Sequence, residues 1–151
     1  MACNTLHQYW SVLNNKKLKN DTVLLHLPKI VAGFIENDEE NIGVLCSEQS
    51  RFLDIYKSPL NDYNKKIVYP PINIQSSINF SINSVIQNNI NKQTKQIFDI
   101  CLYSLFEKNV DSVILGCTEL SILKPKPINK KIYDSVALLA IYLNQNFKGN
   151  S

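Results

Sequence analysis

The sequence predicts an α/β fold, a mostly parallel sheet with helices on both faces. Three observations carry that expectation. Short apolar runs at residues 22–27, 42–46, 67–69, 112–115 and 132–133 read as buried strands. Between most of them lie segments whose apolar residues recur at three- and four-residue spacing, as on a helix face. Polar turns bearing Cys, Ser or Thr separate strand from helix more than once.

Residues 2–5 (ACNT) open the chain, with Asn4 or Thr5 placed to cap a helix carrying Leu6, Tyr9, Trp10 and Leu13. The run TVLLHL at 22–27 is the first expected strand. Pro28 suits the first turn of a helix from Lys29 to about Asn37, which closes on acidic residues. IGVLC at 42–46 is the second strand, and the turn Ser47-Glu48-Gln49-Ser50 leads into a helix through Phe52, Ile55 and Tyr56. A third strand at 67–69 stops at Pro70-Pro71. Residues 74–109 are helical in spacing. Ile97, Ile100, Cys101, Leu105 and Phe106 form one face, while the earlier Asn- and Ser-rich part invites a break. The strand at 112–115 ends at Gly116-Cys117, and a short helix from Thr118 reaches the Lys124-Pro125-Lys126-Pro127 turn. After a brief strand at 132–133, Ser135 can cap a last helix with Val136, Leu139, Ala140, Leu143 and Phe147.

At 151 residues, 44% hydrophobic and 19% charged, the chain can bury a core of its own. Its net charge of +3 is spread over Lys16, Lys17, Lys19, Lys65, Lys66, Lys130 and Lys131, which reads as a scattered lysine surface. Arg51 is the sole arginine, and no basic stripe with aromatics exists, so nucleic acid is not an expected partner. Cys3, Cys46, Cys101 and Cys117 form no CxxC pair, which fits neither a zinc knuckle nor a dithiol redox centre. No apolar stretch is long enough to span a bilayer, and the N-terminus lacks the order of a secretory signal. A cytoplasmic protein without a membrane partner is expected.

In open α/β sheets, ligands bind beyond the C-terminal ends of the strands. Three polar turns fall there: Cys3-Asn4-Thr5, the residues 47–50, and Cys117-Thr118-Glu119. A cysteine at a helix start gains free N–H groups and a positive dipole end, which is expected to lower its pKa and to welcome a carboxylate. Cys46, ending a strand, and Cys101, on an apolar helix face, read as buried small hydrophobes. His7 lies one turn after Cys3 and can orient it. His26, inside an apolar run, reads as a satisfied histidine at the edge of the core. Glu119 can bind an amine or orient the neighbouring thiol, and Asp134 can cap the last helix or complete a hydrogen-bond network.

These residues resemble the aspartate/glutamate racemases that need no pyridoxal phosphate. Residues 113–120 (VILGCTEL) look like that family's second cysteine motif, and ACNT with His7 looks like its first. NIGVL at 41–45 with a hydroxyl-bearing turn resembles the middle strand and carboxylate turn, and Asp134-Ser135 resembles the C-terminal segment. Where the family usually has a threonine and a glycine-threonine pair, this chain has Ser47, Gln49 and Ser50; Gln49 narrows the expected pocket.

The resemblance implies a racemase-like sheet with one lobe intact, residues 41–116. The other would be incomplete, from 1–40 and 117–151, because the chain starts at the motif that in the family follows a strand and a Gly-rich loop. It implies Cys3 and Cys117 as acid and base on opposite faces of a small acidic amino acid, aspartate or glutamate, with no cofactor and no metal. Substrate-binding residues would be Asn4, Thr5, Ser47, Ser50, Thr118 and Glu119, supported by His7 and Asp134, in a possible homodimer. The competing expectation is an inactive, truncated remnant or a small carboxylate-binding module.

Overall fold

The structure, a computed structural model of the chain, describes residues 3–14, 22–126 and 129–147. Ala2, Pro127 and the lysines at 16, 17 and 19 lie outside the described residues. Four strands, β1 (Asn41–Leu45), β2 (Lys66–Val68), β3 (Ser112–Leu115) and β4 (Lys131–Asp134), form one sheet in the order β2-β1-β3-β4. All three pairings are parallel, so the strand C-termini share one edge. β4 comes from the segment that the sequence grouped with residues 1–40, and it pairs directly with β3.

The helices are α1 (Trp10–Asn14), α2 (Leu27–Ala32), α3 (Glu48–Phe52), α4 (Lys57–Asn61), α5 (Gln75–Ile86), α6 (Lys92–Phe106), α7 (Leu120–Leu123) and α8 (Ser135–Asn146). Alternation along the strands divides the apolar residues between two cores. Leu45, Val113 and Leu115 face Ile78 and Ile82 of α5, Phe98, Leu102 and Leu105 of α6, and Leu120 of α7. On the other face Ile42, Val44, Ile114 and Tyr133 meet Leu27 and Val31 of α2 and Leu60 of α4, with Leu138 and Leu139 of α8 at the margin. A side chain at Gly43 would come within 3.0 Å of Leu105, so glycine lets α6 approach β1 closely.

Asparagine and aspartate end helices here as glycine often does elsewhere. Asp54, Asn64 and Asn88 have φ of 52°, 57° and 53°, and the residue after each donates back to a carbonyl five positions earlier. Asn91 opens α6 by accepting from the Thr94 N–H at 3.0 Å.

Several sequence expectations are corrected. Residues 22–26 are not a strand; the His26 ring accepts the Lys29 N–H at 3.2 Å, and Leu27-Pro28 begin α2, so burial begins only at the helix start while Val23 stays exposed. That helix ends at Ala32, well short of Asn37. The first helix is a 3-10 turn, Thr5–Tyr9, followed by α1, and Asn4 makes no capping bond to it. The helix expected through Tyr56 stops at Phe52, whose ring is 81% exposed, and α4 was not foreseen. The expected break falls between α5 and α6. Lys65 is buried rather than on the surface, and its ammonium donates to the carbonyls of Glu36, Asn37 and Glu39. Asp134, not Ser135, caps α8, accepting from the N–H groups of Val136 and Ala137.

Among the described residues, no helix is long and apolar enough to cross a membrane.

Candidate functional site

β3 carries the chain through four buried residues to Gly116, whose N–H donates to the Leu45 carbonyl at 2.7 Å and extends the ladder by one rung. Cys117 follows at the C-terminal edge of the sheet, buried, with its Sγ donating to Glu119 Oε2 at 2.9 Å. The Thr118 hydroxyl donates to the same oxygen at 3.0 Å. Burial, then the hydrogen bond and charge of Glu119, push the Cys117 thiol well above its ordinary range. Partial burial raises the Glu119 carboxyl, but the bonds it accepts from Cys117, its own backbone and Thr118 outweigh that and hold it low. The pair therefore rests as thiol and carboxylate. A lowered thiol pKa was expected here, and the correction has a plain cause: the thiol is buried and bonded to the Glu119 carboxylate, while α7 is four residues long and starts only at Leu120.

The turn after β1 supplies hydroxyls. Ser47 Oγ caps α3 by accepting the Ser50 N–H at 3.2 Å, and the Ser47 and Ser50 hydroxyls lie 3.0 Å apart. Thr5 Oγ1 joins them at 3.2 and 2.8 Å, so three of the expected substrate-binding residues form one cluster. The cluster ties the N-terminal turn to the C-terminal edge of the sheet.

Asn4, also expected to bind substrate, is buried and bonded within the protein: its Nδ2 donates to Ser135 Oγ at 3.1 Å and its Oδ1 accepts from the Tyr56 hydroxyl at 2.6 Å. Cys3 is exposed. His7, expected to orient Cys3, bonds its backbone carbonyl. Its Nε2 accepts the Leu27 N–H at 3.0 Å, which leaves the proton on Nδ1, and Nδ1 donates to the Cys3 carbonyl at 2.9 Å. His7 thus fixes the Cys3 backbone against α2. Asp134 supports the Cys117 side, since its Oδ1 accepts the Ser121 hydroxyl of α7 at 2.7 Å while capping α8.

Cys46 and Cys101 are buried, as expected, and burial raises their thiols to about 12 and about 11. His26 packs edge-on against Trp10 and His7 at the margin of the fold. A cleft of about 700 Å³ opens beside it, lined by Trp10, Ile30, Phe34, Tyr63 and Tyr142, and it touches neither Cys3 nor Cys117.

Sequence reasoning passed over Tyr56, Ser121 and Gln75. Gln75 is buried and donates to the Cys46 carbonyl at 3.0 Å. A glutamine at the start of an amphipathic helix gave no sign of this. Tyr56 looked like one more residue of an apolar face.

A parallel sheet with helices on both faces matches the α/β fold of the aspartate/glutamate racemase superfamily. Similar solved structures include an aspartate racemase from Picrophilus torridus, at 25% identity and a TM-score of 0.74 over 96% of this chain and 60% of that one. An aspartate racemase homologue from Pyrococcus horikoshii matches at 19% identity and a TM-score of 0.75, over 95% and 63%. A glutamate racemase from Bacillus anthracis matches at 17% and 0.63, over 99% and 59%. The chain spans about 60% of the length of the Picrophilus protein. No protein-family model and no curated protein sequence matches it.

Proposed function

We propose that this chain acts in the cofactor-independent racemisation of a small acidic amino acid, aspartate or glutamate, by proton transfer between Cys3 and Cys117. The observation that carries this reading is the Cys117 thiol, buried at the end of β3 and donating to Glu119, on the sheet edge where Thr5, Ser47 and Ser50 gather their hydroxyls. The likeness to aspartate racemases in fold supports it.

Racemisation removes the Cα proton from one face and returns a proton to the other. In the proposed mechanism the Cys3 thiolate takes the Cα proton, and Cys117, resting as a thiol, delivers its own to the opposite face. Cys117 is left as thiolate and Cys3 as thiol, so the reverse reaction starts from that state. The hydroxyl cluster and Thr118 would hold the α-carboxylate as negative charge moves into it, and the Glu119 carboxylate would receive the ammonium group. The proposal also carries the two-lobe division at 41–116 against 1–40 with 117–151, and a homodimer.

The test is loss of the α-proton of each enantiomer of aspartate and glutamate in D2O, followed by NMR. Cys117→Ser should retain the fold and lose exchange by about 10²–10⁴-fold. Equal rates in parent and variant would remove Cys117 from the chemistry. No exchange in the parent chain, with binding of the amino acid retained, would leave a carboxylate-binding module instead.

A further inference from the structure

Tyr56 is one of the largest fully buried side chains, and the two-cysteine chemistry does not use it. Its ring lies against the turn that carries Cys117: a side-chain carbon at Gly116 would stand 2.9 Å from the ring edge and 3.3 Å from Cys46 Cβ. Gly116 is therefore the residue that admits the ring. The Tyr56 hydroxyl reaches the other cysteine turn, donating at 2.6 Å to Asn4, the residue after Cys3. Asn4 passes the connection to Ser135 at the start of α8.

Packing alone does not explain the hydroxyl. Phenylalanine would fill the same space, and a phenol buried this deeply is costly unless it is hydrogen-bonded. Its partner is a buried amide of the N-terminal turn, a segment with no strand among its described residues.

We propose that Tyr56 is a positioning residue, with its ring set beneath the Gly116-Cys117 turn and its hydroxyl holding the Cys3-Asn4 turn at a fixed place relative to it. The assignment rests on the two-cysteine reading for its catalytic meaning, while the positioning itself is measurable without turnover. Tyr56 touches neither the substrate groups nor the reacting sulfurs' protons in that mechanism. Its removal should therefore lower kcat and leave KM nearly unchanged.

The experiment is Tyr56→Phe, which keeps the ring, alone and combined with Asn4→Ala. Backbone amide exchange at residues 4–9 should quicken by about tenfold, the scale of one buried hydrogen bond, while the amides of residues 112–115 keep the parent rate. The double variant should be no faster than Asn4→Ala alone, because both changes break one connection. With aspartate or glutamate as substrate, kcat should fall by a similar factor with KM changed less than about twofold.

Unchanged exchange at residues 4–9 overturns the proposal. So does equal acceleration at 112–115, which would make the hydroxyl a contributor to global stability alone. If the parent chain shows no turnover, the racemase reading fails, and the amide exchange still decides whether Tyr56 positions the turn.

Discussion

The two turns that bear the candidate cysteines are held in different ways. Cys117 follows a strand whose four residues are all buried and which is paired on both sides, to β1 and to β4. Cys3 precedes a 3-10 turn with no strand before it among the described residues, held through Asn4, Thr5 and His7 to Tyr56, Ser135, Ser47, Ser50 and Leu27. A parallel ladder over a packed core opens only with the fold, whereas a turn held by a few side-chain bonds opens on its own. The proposed proton transfer through the substrate needs both sulfurs placed well, so under that proposal the weaker anchorage would limit the site.

The difference is broken most forcefully from the core. Leu105 of α6 is fully buried against Gly43 and Val113, beneath the strands that lead to Cys117. Leu105→Ala should cost about 2–5 kcal/mol in chemical unfolding, the usual range for a buried leucine truncated to alanine. A loss below about 1 kcal/mol would mean that this core does not hold the Cys117 turn.

Much of the fold was legible because its signals are local and strong. Residues 113–115 are an uninterrupted apolar run with Gly116 after it, and β3, Ser112–Leu115, has the expected bounds. Ile42 to Leu45 was equally plain, since both its faces are buried and every position is apolar or glycine. The run at 22–27 misled because apolar composition alone does not make a strand: residues 22–26 are partly exposed irregular chain, and only Leu27, after the capping His26 and before Pro28, is buried at the start of α2. In the site, hydroxyl residues at turns were visible, and Thr5, Ser47 and Ser50 do meet. That Glu119 could orient the neighbouring thiol was one of two readings of the sequence, and the Cys117 sulfur does donate to it. That His7 bonds the Cys3 carbonyl was not visible, because it depends on local backbone geometry that spacing leaves open.

A smaller change tests the weaker anchorage directly. Thr5→Val keeps the shape of the side chain and removes the hydroxyl that joins Ser47 and Ser50. The two serines remain bonded to each other, so the expected cost is about 0.5–1.5 kcal/mol, felt as faster amide exchange at residues 4–9 and not at 112–115. Equal effects in both regions would erase the distinction between a ladder-held and a side-chain-held turn.

The smallest effect expected is a pH slope at the seam between the N-terminal turn and α2. Burial, then the neighbouring His7, holds the His26 imidazole down at about 4 from its ordinary 6.5; Lys29 adds to this, and a hydrogen bond to its own backbone opposes it. Between those two values the unfolded chain binds a proton that the folded chain refuses. The neutral ring's contribution is therefore whole above pH 6.5 and is lost as pH falls toward 4. Half-burial keeps the slope shallow. His26→Asn retains an acceptor for the Lys29 N–H and removes the titration, at the cost of the edge contact with Trp10. Its stability at pH 7 therefore decides nothing, and the slope does. Unfolding free energies measured from pH 7 to pH 4 should fall less steeply in the variant than in the parent. Parallel curves would show that His26 carries no proton linkage and that the seam is held by packing alone.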